Sequence, residues 1–174
     1  MGLTPLEGLI MGTRCGDVDP NAILYIMKKE NLSPDEMYTL VNKKSGFLGV
    51  SQKTSDAREM DELANGGDFK AKLTLKMLSF QMIKYIGAFA AEMNGVDAIF
   101  FTGGIGEHNS RLRRRVCENF TYLGLAFDYE ANTAWGVDTV ISLPESKVKV
   151  ALVTTDEELV IARDTMRLVQ SIDE

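Results

Sequence analysis

The chain has 174 residues, 45% of them hydrophobic, with 25 acidic against 19 basic side chains and a net charge of −6. That length fits one domain or one large piece of a larger protein, and the apolar fraction is ample for a core. Excess acid argues against a nucleic-acid surface, and apolar runs broken by Lys, Asn or Gly fall short of a membrane span. No signal peptide is visible, so a cytoplasmic protein with neither nucleic-acid nor membrane partner is expected. Cys15, Cys117 and the single histidine, His108, stand in no zinc-ligand spacing. Free thiols suit a reducing compartment.

The first sixteen residues, MGLTPLEGLIMGTRCG, carry neither helical nor strand periodicity. Arg14, framed by Thr13 and Gly16, reads equally well as a surface arginine or a functional one. Asp19-Pro20 signals a helix start, cap then first-turn proline, with the helix running to about Glu30. Ser33 and Glu36 have the spacing of a capping box, and Gly46 closes the helix that follows. Residues 47–50 read as an apolar turn, 51–58 as polar, and 60–64 as one helical turn before Asn65-Gly66-Gly67.

Asp68 caps the longest predicted helix, through to about Asn94. Leu75, Leu78, Met82, Ile86, Phe89 and Met93 form one apolar row, and Phe69, Leu73, Met77, Phe80, Ile83 and Ala90 a second beside it. So wide an apolar circumference predicts a central, mostly buried helix. Gly95 ends it, and residues 98–102 form a buried strand by length and β-propensity.

Gly103, Gly104 and Gly106 follow that strand, where a backbone without β-carbons can turn sharply and approach a ligand. A helix opening at Asn109-Ser110 would turn its unpaired N–H groups toward this loop, an arrangement suited to phosphate. Arg111, Arg113, Arg114 and Arg115 point several ways at helical spacing and read as a solvated helix surface. A further helical turn falls within 129–135, and strands over 139–143 and 148–153 flank a Pro144 turn. A last helix opens at residues 154–158, where Thr155 and Glu158 have capping-box spacing. Glu157 has no such structural task. The order of elements is α/β with helix predominating. If strands 98–102 and 148–153 are parallel neighbours, the glycine loop and the acidic turn share the carboxyl end of one sheet. Phosphate and hard carboxylate oxygens would then meet there, as magnesium-nucleotide chemistry requires.

Four stretches together resemble the acetate kinase family: MGLTPLEGLIMGTRCGDVDP, DAR at 56–58, FFTGGIGE at 100–107 and TTDEELVIARDT at 154–165. They occur in the family's order and cover essentially the whole chain. The resemblance implies the C-terminal lobe of the actin, sugar-kinase and acetate-kinase fold, ribonuclease H-like, helix-rich and without its first strands. It implies reversible transfer of the ATP γ-phosphoryl group to acetate, giving acetyl phosphate and ADP, with Mg2+. Propionate or butyrate is the alternative acceptor, and a non-catalytic α/β module the alternative class.

By the same resemblance, Arg14 binds the carboxylate and the phosphoryl group in flight, a task suited to a planar, permanently charged fork of donors. Asp56, Ala57 and Arg58 match a nucleotide-binding segment. Gly104, Ile105, Gly106, Glu107 and His108 match the nucleotide-binding glycine loop, and Glu157 the magnesium carboxylate. His108 and Asp156 stand where the family commonly has Asn. The chain aligns with the C-terminal part of a family member, so residues 1–174 are expected to be one partial lobe. Met1 then corresponds to an internal point of the family sequence. Half a cleft is expected to be inactive alone. A lobe without its first strands exposes a sheet edge, and self-association through it, as a homodimer, is expected.

Overall fold

Helix starts in this chain are set by local chemistry that the structure displays directly. In this computed structural model, which describes residues 2–170, Asp19 Oδ1 accepts the Asn21 N–H at 2.8 Å and opens α1 (Pro20–Glu30). The reading of Met1 as an internal point lies outside the described residues. Ser33 and Glu36 form the reciprocal box that opens α2 (Pro34–Lys43), a cap worth about 1 kcal/mol. Gly46 does not close that helix. It begins α3 (Gly46–Ser51), with φ +65. A β-carbon there would stand 2.1 Å from the Met11 carbonyl oxygen, so glycine is required both by backbone angle and by contact. The predicted apolar turn is therefore a short helix.

Asp56 caps α4 (Ala57–Asn65), which absorbs the end of the predicted polar stretch and lengthens the expected single turn. Asp68 Oδ1 accepts the Ala71 N–H at 2.8 Å and opens α5 (Phe69–Glu92). The burial of α5 departs from expectation. Ala71, Thr74, Leu78, Ser79 and Ala90 are its buried residues, and the helix packs on α3 and α4. The second apolar row is largely exposed, with Phe69 at 76% and Phe80 at 67%. Periodicity identified the apolar faces, but of the large apolar side chains in the two rows only Leu78 is fully buried; the other buried positions are small.

The chain divides into two compact units, one ending at Gly95 and the other beginning at Val96. The first holds α1 to α5 around Met37, Phe47, Met60 and Leu78. The second opens on β1 (Ala98–Phe101), followed by α6 (Gly103–His108) and α7 (Ser110–Cys117). Single 3-10 turns at Thr121–Leu123 and Ala131–Thr133 precede β2 (Thr139–Val140), β3 (Lys149–Leu152) and α8 (Glu157–Gln170). Strand order is β1-β3-β2: β3 runs parallel to β1, Ala98 opposite Lys149, and antiparallel to β2. The conditional parallel pairing of the sequence reading is thus met. β1 is not buried on both faces: Ile99 and Phe101 point into the core, and Phe100 outward. No helix among the described residues is long and apolar enough to cross a membrane.

Candidate functional site

In the first unit, Arg14 sits on a turn pinned from three directions. Met11 donates its N–H to the Arg14 carbonyl at 3.1 Å; Phe47 and Leu48 donate to the carbonyls of Met11 and Gly12 at 2.8 and 2.9 Å. Ser45 donates to Thr13 at 3.0 Å, and Thr13 Oγ1 to the Asn42 carbonyl at 2.9 Å. A β-carbon on Gly12 would lie 2.8 Å from the Ser55 carbonyl oxygen, so this turn lies directly against the residue preceding Asp56. Arg14 is half-buried, and its Nη1 lies 3.7 Å from Met11 Sδ. Among the described residues it makes no ion pair. The main chain is fixed, and the guanidinium makes only this weak hydrogen bond to a thioether, which leaves most of its donors open to an anion.

Asp56 Oδ1 accepts from the N–H groups of Arg58 and Glu59 at 2.8 and 3.1 Å. These bonds, with Glu59 first, hold its carboxyl below the usual carboxylate range. Asp56 therefore has a capping task that the sequence reading did not give it, while Ala57 opens α4 and the Arg58 side chain is exposed.

In the second unit, the chain leaves β1 at Thr102 and enters α6 at once. Gly103, at φ +68, makes that possible. The glycines thus lie inside a short helix rather than in an open loop. A β-carbon on Gly106 would touch the Phe101 backbone at 3.4 Å; one on Gly104 would meet nothing within 4 Å. Gly104, Ile105 and His108 are exposed, whereas Gly106 and Glu107 are buried. His108 Nδ1 meets the Gly104 carbonyl at 2.8 Å, and its ring packs edge-on to Trp135 at 5.3 Å. At the α7 start, one of the first-turn donors expected to face the glycines is already taken. Asn109 Oδ1 takes the Leu112 N–H at 2.8 Å.

Glu107 carries the link between the glycine helix and the end of β3. Its Oε1 accepts both the Thr155 hydroxyl at 2.9 Å and the Thr155 N–H at 3.0 Å. The hydroxyl contributes most to holding this carboxyl below its ordinary range, against the opposing effect of burial. Thr155 is thereby engaged and does not form the predicted box with Glu158. Asp156 Oδ1 instead accepts the Leu159 N–H at 2.9 Å at the start of α8. Glu157, the first residue of α8, is exposed and makes no hydrogen bond or ion pair among the described residues.

Sequence reading missed Arg113. Far from a solvated helix face, it is 1% exposed. Its Nη1 donates to the carbonyls of Gly106 and Glu107 at 2.8 and 2.7 Å, fastening the C-terminal end of the glycine helix. The remaining donors go to Asn132 and Ala134. Burial lowers its pKa. Its position between Leu112 and Val116, both buried, is the one local hint that this arginine faces inward.

The units therefore assemble two groups: Arg14 beside residues 55–58, and Gly104 to His108 tied to the turn that presents Glu157. Among the described residues no three His, Cys, Asp or Glu side chains gather as a metal cage. One free carboxylate suits an ion that keeps most of its waters and rests mainly on phosphate, as magnesium does.

The sequence profile of the acetokinase family matches residues 1–163. The acetate kinase of Thermosipho africanus is 49% identical over 98% of this chain, and that of Thermotoga maritima 51% over 99%. These alignments span 42% and 43% of the relatives' own lengths, so the chain covers less than half of the proteins it matches. Among solved structures, the acetate kinase of Porphyromonas gingivalis superposes with a TM-score of 0.90 at 46% identity, over 97% of this chain and 43% of that one. A propionate kinase of Francisella tularensis superposes at 0.84 and 38% identity, over 93% and 41%. With its helix-rich body and small mixed sheet, the chain is part of an α/β domain of that kind, and it belongs to the acetokinase family.

Proposed function

We propose that these residues are part of the nucleotide-binding lobe of a carboxylate kinase that transfers the ATP γ-phosphoryl group to acetate, reversibly, giving acetyl phosphate and ADP. The observation that carries this reading is that Arg14 and Glu157, each on a hydrogen-bonded turn, carry no ion pair among the described residues, within a chain of this family. Arg14 would grip the carboxylate and the equatorial oxygens of the phosphoryl group. The exposed backbone at Gly104 and Ile105, with His108 beside it, would lie along the nucleotide, as would residues 56–58. Glu157 would hold magnesium, which when bound neutralises charge developing on the phosphates. Glu107 is placed to orient the turn, and its nucleotide role would run through that turn.

Likeness to the propionate kinase supports a second acceptor, propionate. Phosphoryl transfer needs groups from several sides at once, so the 174 residues alone are proposed to show no turnover. Titration with MgATP tests the reading. We expect amide shifts at residues 104–108 and at Glu157 that depend on magnesium. No response at either segment would overturn it.

The exposed row Phe69, Leu73, Met77 and Phe80 on α5 supports the further reading that the protein forms a homodimer. F80E should lower the sedimentation coefficient; a monomeric parent at high concentration would end this reading. The two free cysteines support a cytoplasmic location.

A further inference from the structure

Two carboxylates hold the turn that leaves β3, one from each side of the sheet. Glu107 comes from the helix that follows β1 and accepts both donors of Thr155 on one oxygen. Asp138, immediately before β2, does the same for the neighbouring residue: its Oδ1 accepts the Thr154 N–H and the Thr154 hydroxyl, both at 2.8 Å. β3 lies between β1 and β2, so consecutive threonines are drawn toward opposite neighbours. One oxygen bonded to both the main chain and the side chain of a residue fixes its backbone and its rotamer together. Asp156 and Glu157 follow directly, with Asp156 capping the Leu159 N–H.

We propose that Asp138 is a positioning residue, which acts with Glu107 to set the direction in which the Thr154–Thr155 turn delivers Glu157. Asp138 itself faces no nucleotide segment in the proposed function; it works through the turn. The functional weight of this inference rests on the reading of Glu157 as the magnesium carboxylate. The double tie can be tested without it.

The test is amide hydrogen exchange on the full 174-residue chain, read by NMR for the parent, D138A, D138N and T154V. In D138A, exchange at Thr154, Thr155, Leu159 and Val160 should quicken about fivefold, the equivalent of one net hydrogen bond. The Val150 amide, held inside the sheet by Ser142 Oγ at 3.1 Å, should not change. D138N keeps an oxygen acceptor and should restore most of the protection, a rescue that general destabilisation would not give. T154V keeps the N–H bond and loses the hydroxyl one, so about half of the effect is expected should D138A fail to fold. If Thr155 and Leu159 stay as protected as in the parent in both D138A and T154V, Asp138 is a local loop contact and the proposal falls. It falls equally if D138N behaves like D138A. A magnesium titration of the same samples decides the metal reading separately: a parent without a magnesium-dependent shift at Glu157 removes that reading and leaves the exchange result standing.

Discussion

Arg113 holds Asn132 twice, through Nε to the side-chain oxygen at 2.9 Å and through Nη2 to the main-chain carbonyl at 2.8 Å. The same guanidinium binds the last carbonyls of the glycine helix, so one buried cation joins α6 to the 3-10 turn at Ala131–Thr133. Removing it leaves several buried acceptors without donors. R113M should destabilise this unit by about 3 kcal/mol and N132A by about 1.5 kcal/mol, with R113K between them. Urea unfolding followed by the fluorescence of Trp135, the chain's one tryptophan, measures this.

Gly103 and Gly104 should respond differently to alanine. At φ +68, Gly103 takes a backbone angle that costs an L-residue about 1–2 kcal/mol, so G103A should lower the unfolding midpoint. Gly104 has open space around its Cα, and G104A should leave that midpoint unchanged. Any loss of MgATP response in G104A then reports on the ligand, because the fold is intact. A matching fall in stability for both variants would contradict this distinction.

Acid should loosen the second unit through its threonine ties. The Thr155 hydroxyl lowers the pKa of Glu107, and the Thr154 N–H foremost lowers that of Asp138. A carboxylate held below its unfolded value contributes stability that is fully present above the unfolded value. That stability is lost as pH falls through the folded one. Urea midpoints should therefore be flat near neutrality and fall below about pH 4. E107Q and D138N should each make that acid limb shallower.

Cys117 is fully enclosed, and burial pushes its thiol up to about 12. Native protein should resist alkylation there at pH 8, since the thiolate is the reactive form. Half-buried Cys15, also raised by burial, should react first. Iodoacetamide labelling read by mass spectrometry, with and without urea, checks the order.

What was legible in the sequence was mostly short-range. The caps at Asp19, Ser33 and Asp68 depend on neighbours within three residues, and each forms as expected. The parallel pairing of β1 and β3 stood only as a condition in the sequence reading, because strand partners far apart in the chain leave no local mark; the structure meets that condition. Arg113 was illegible because its partners at 132 and 134 are distant in the chain, and all but the Asn132 side-chain oxygen are main-chain carbonyls, which any residue supplies. Asp56 was read for another role although it caps a helix, Asp156 was given no role although it too accepts a first-turn N–H, and Thr155 was assigned to Glu158 although Glu107 takes it. For α5, periodicity told which faces were apolar and could not tell which one α3 and α4 would cover.

The central place of β3 also fixes an order of events in folding. β1 and β2 pair with β3 and not with each other, and β3 is the last of the three strands among the described residues. During synthesis, the strand that precedes the glycine helix must wait, unpaired along one side, until Lys149 to Leu152 have emerged. Closing so long a loop is slow compared with forming a helix turn. Glu107 gains Thr155 only afterwards. Folding of this unit should therefore have a late, sheet-limited step, and a chain stopped before Lys149 would expose β1 as an open template for other strands.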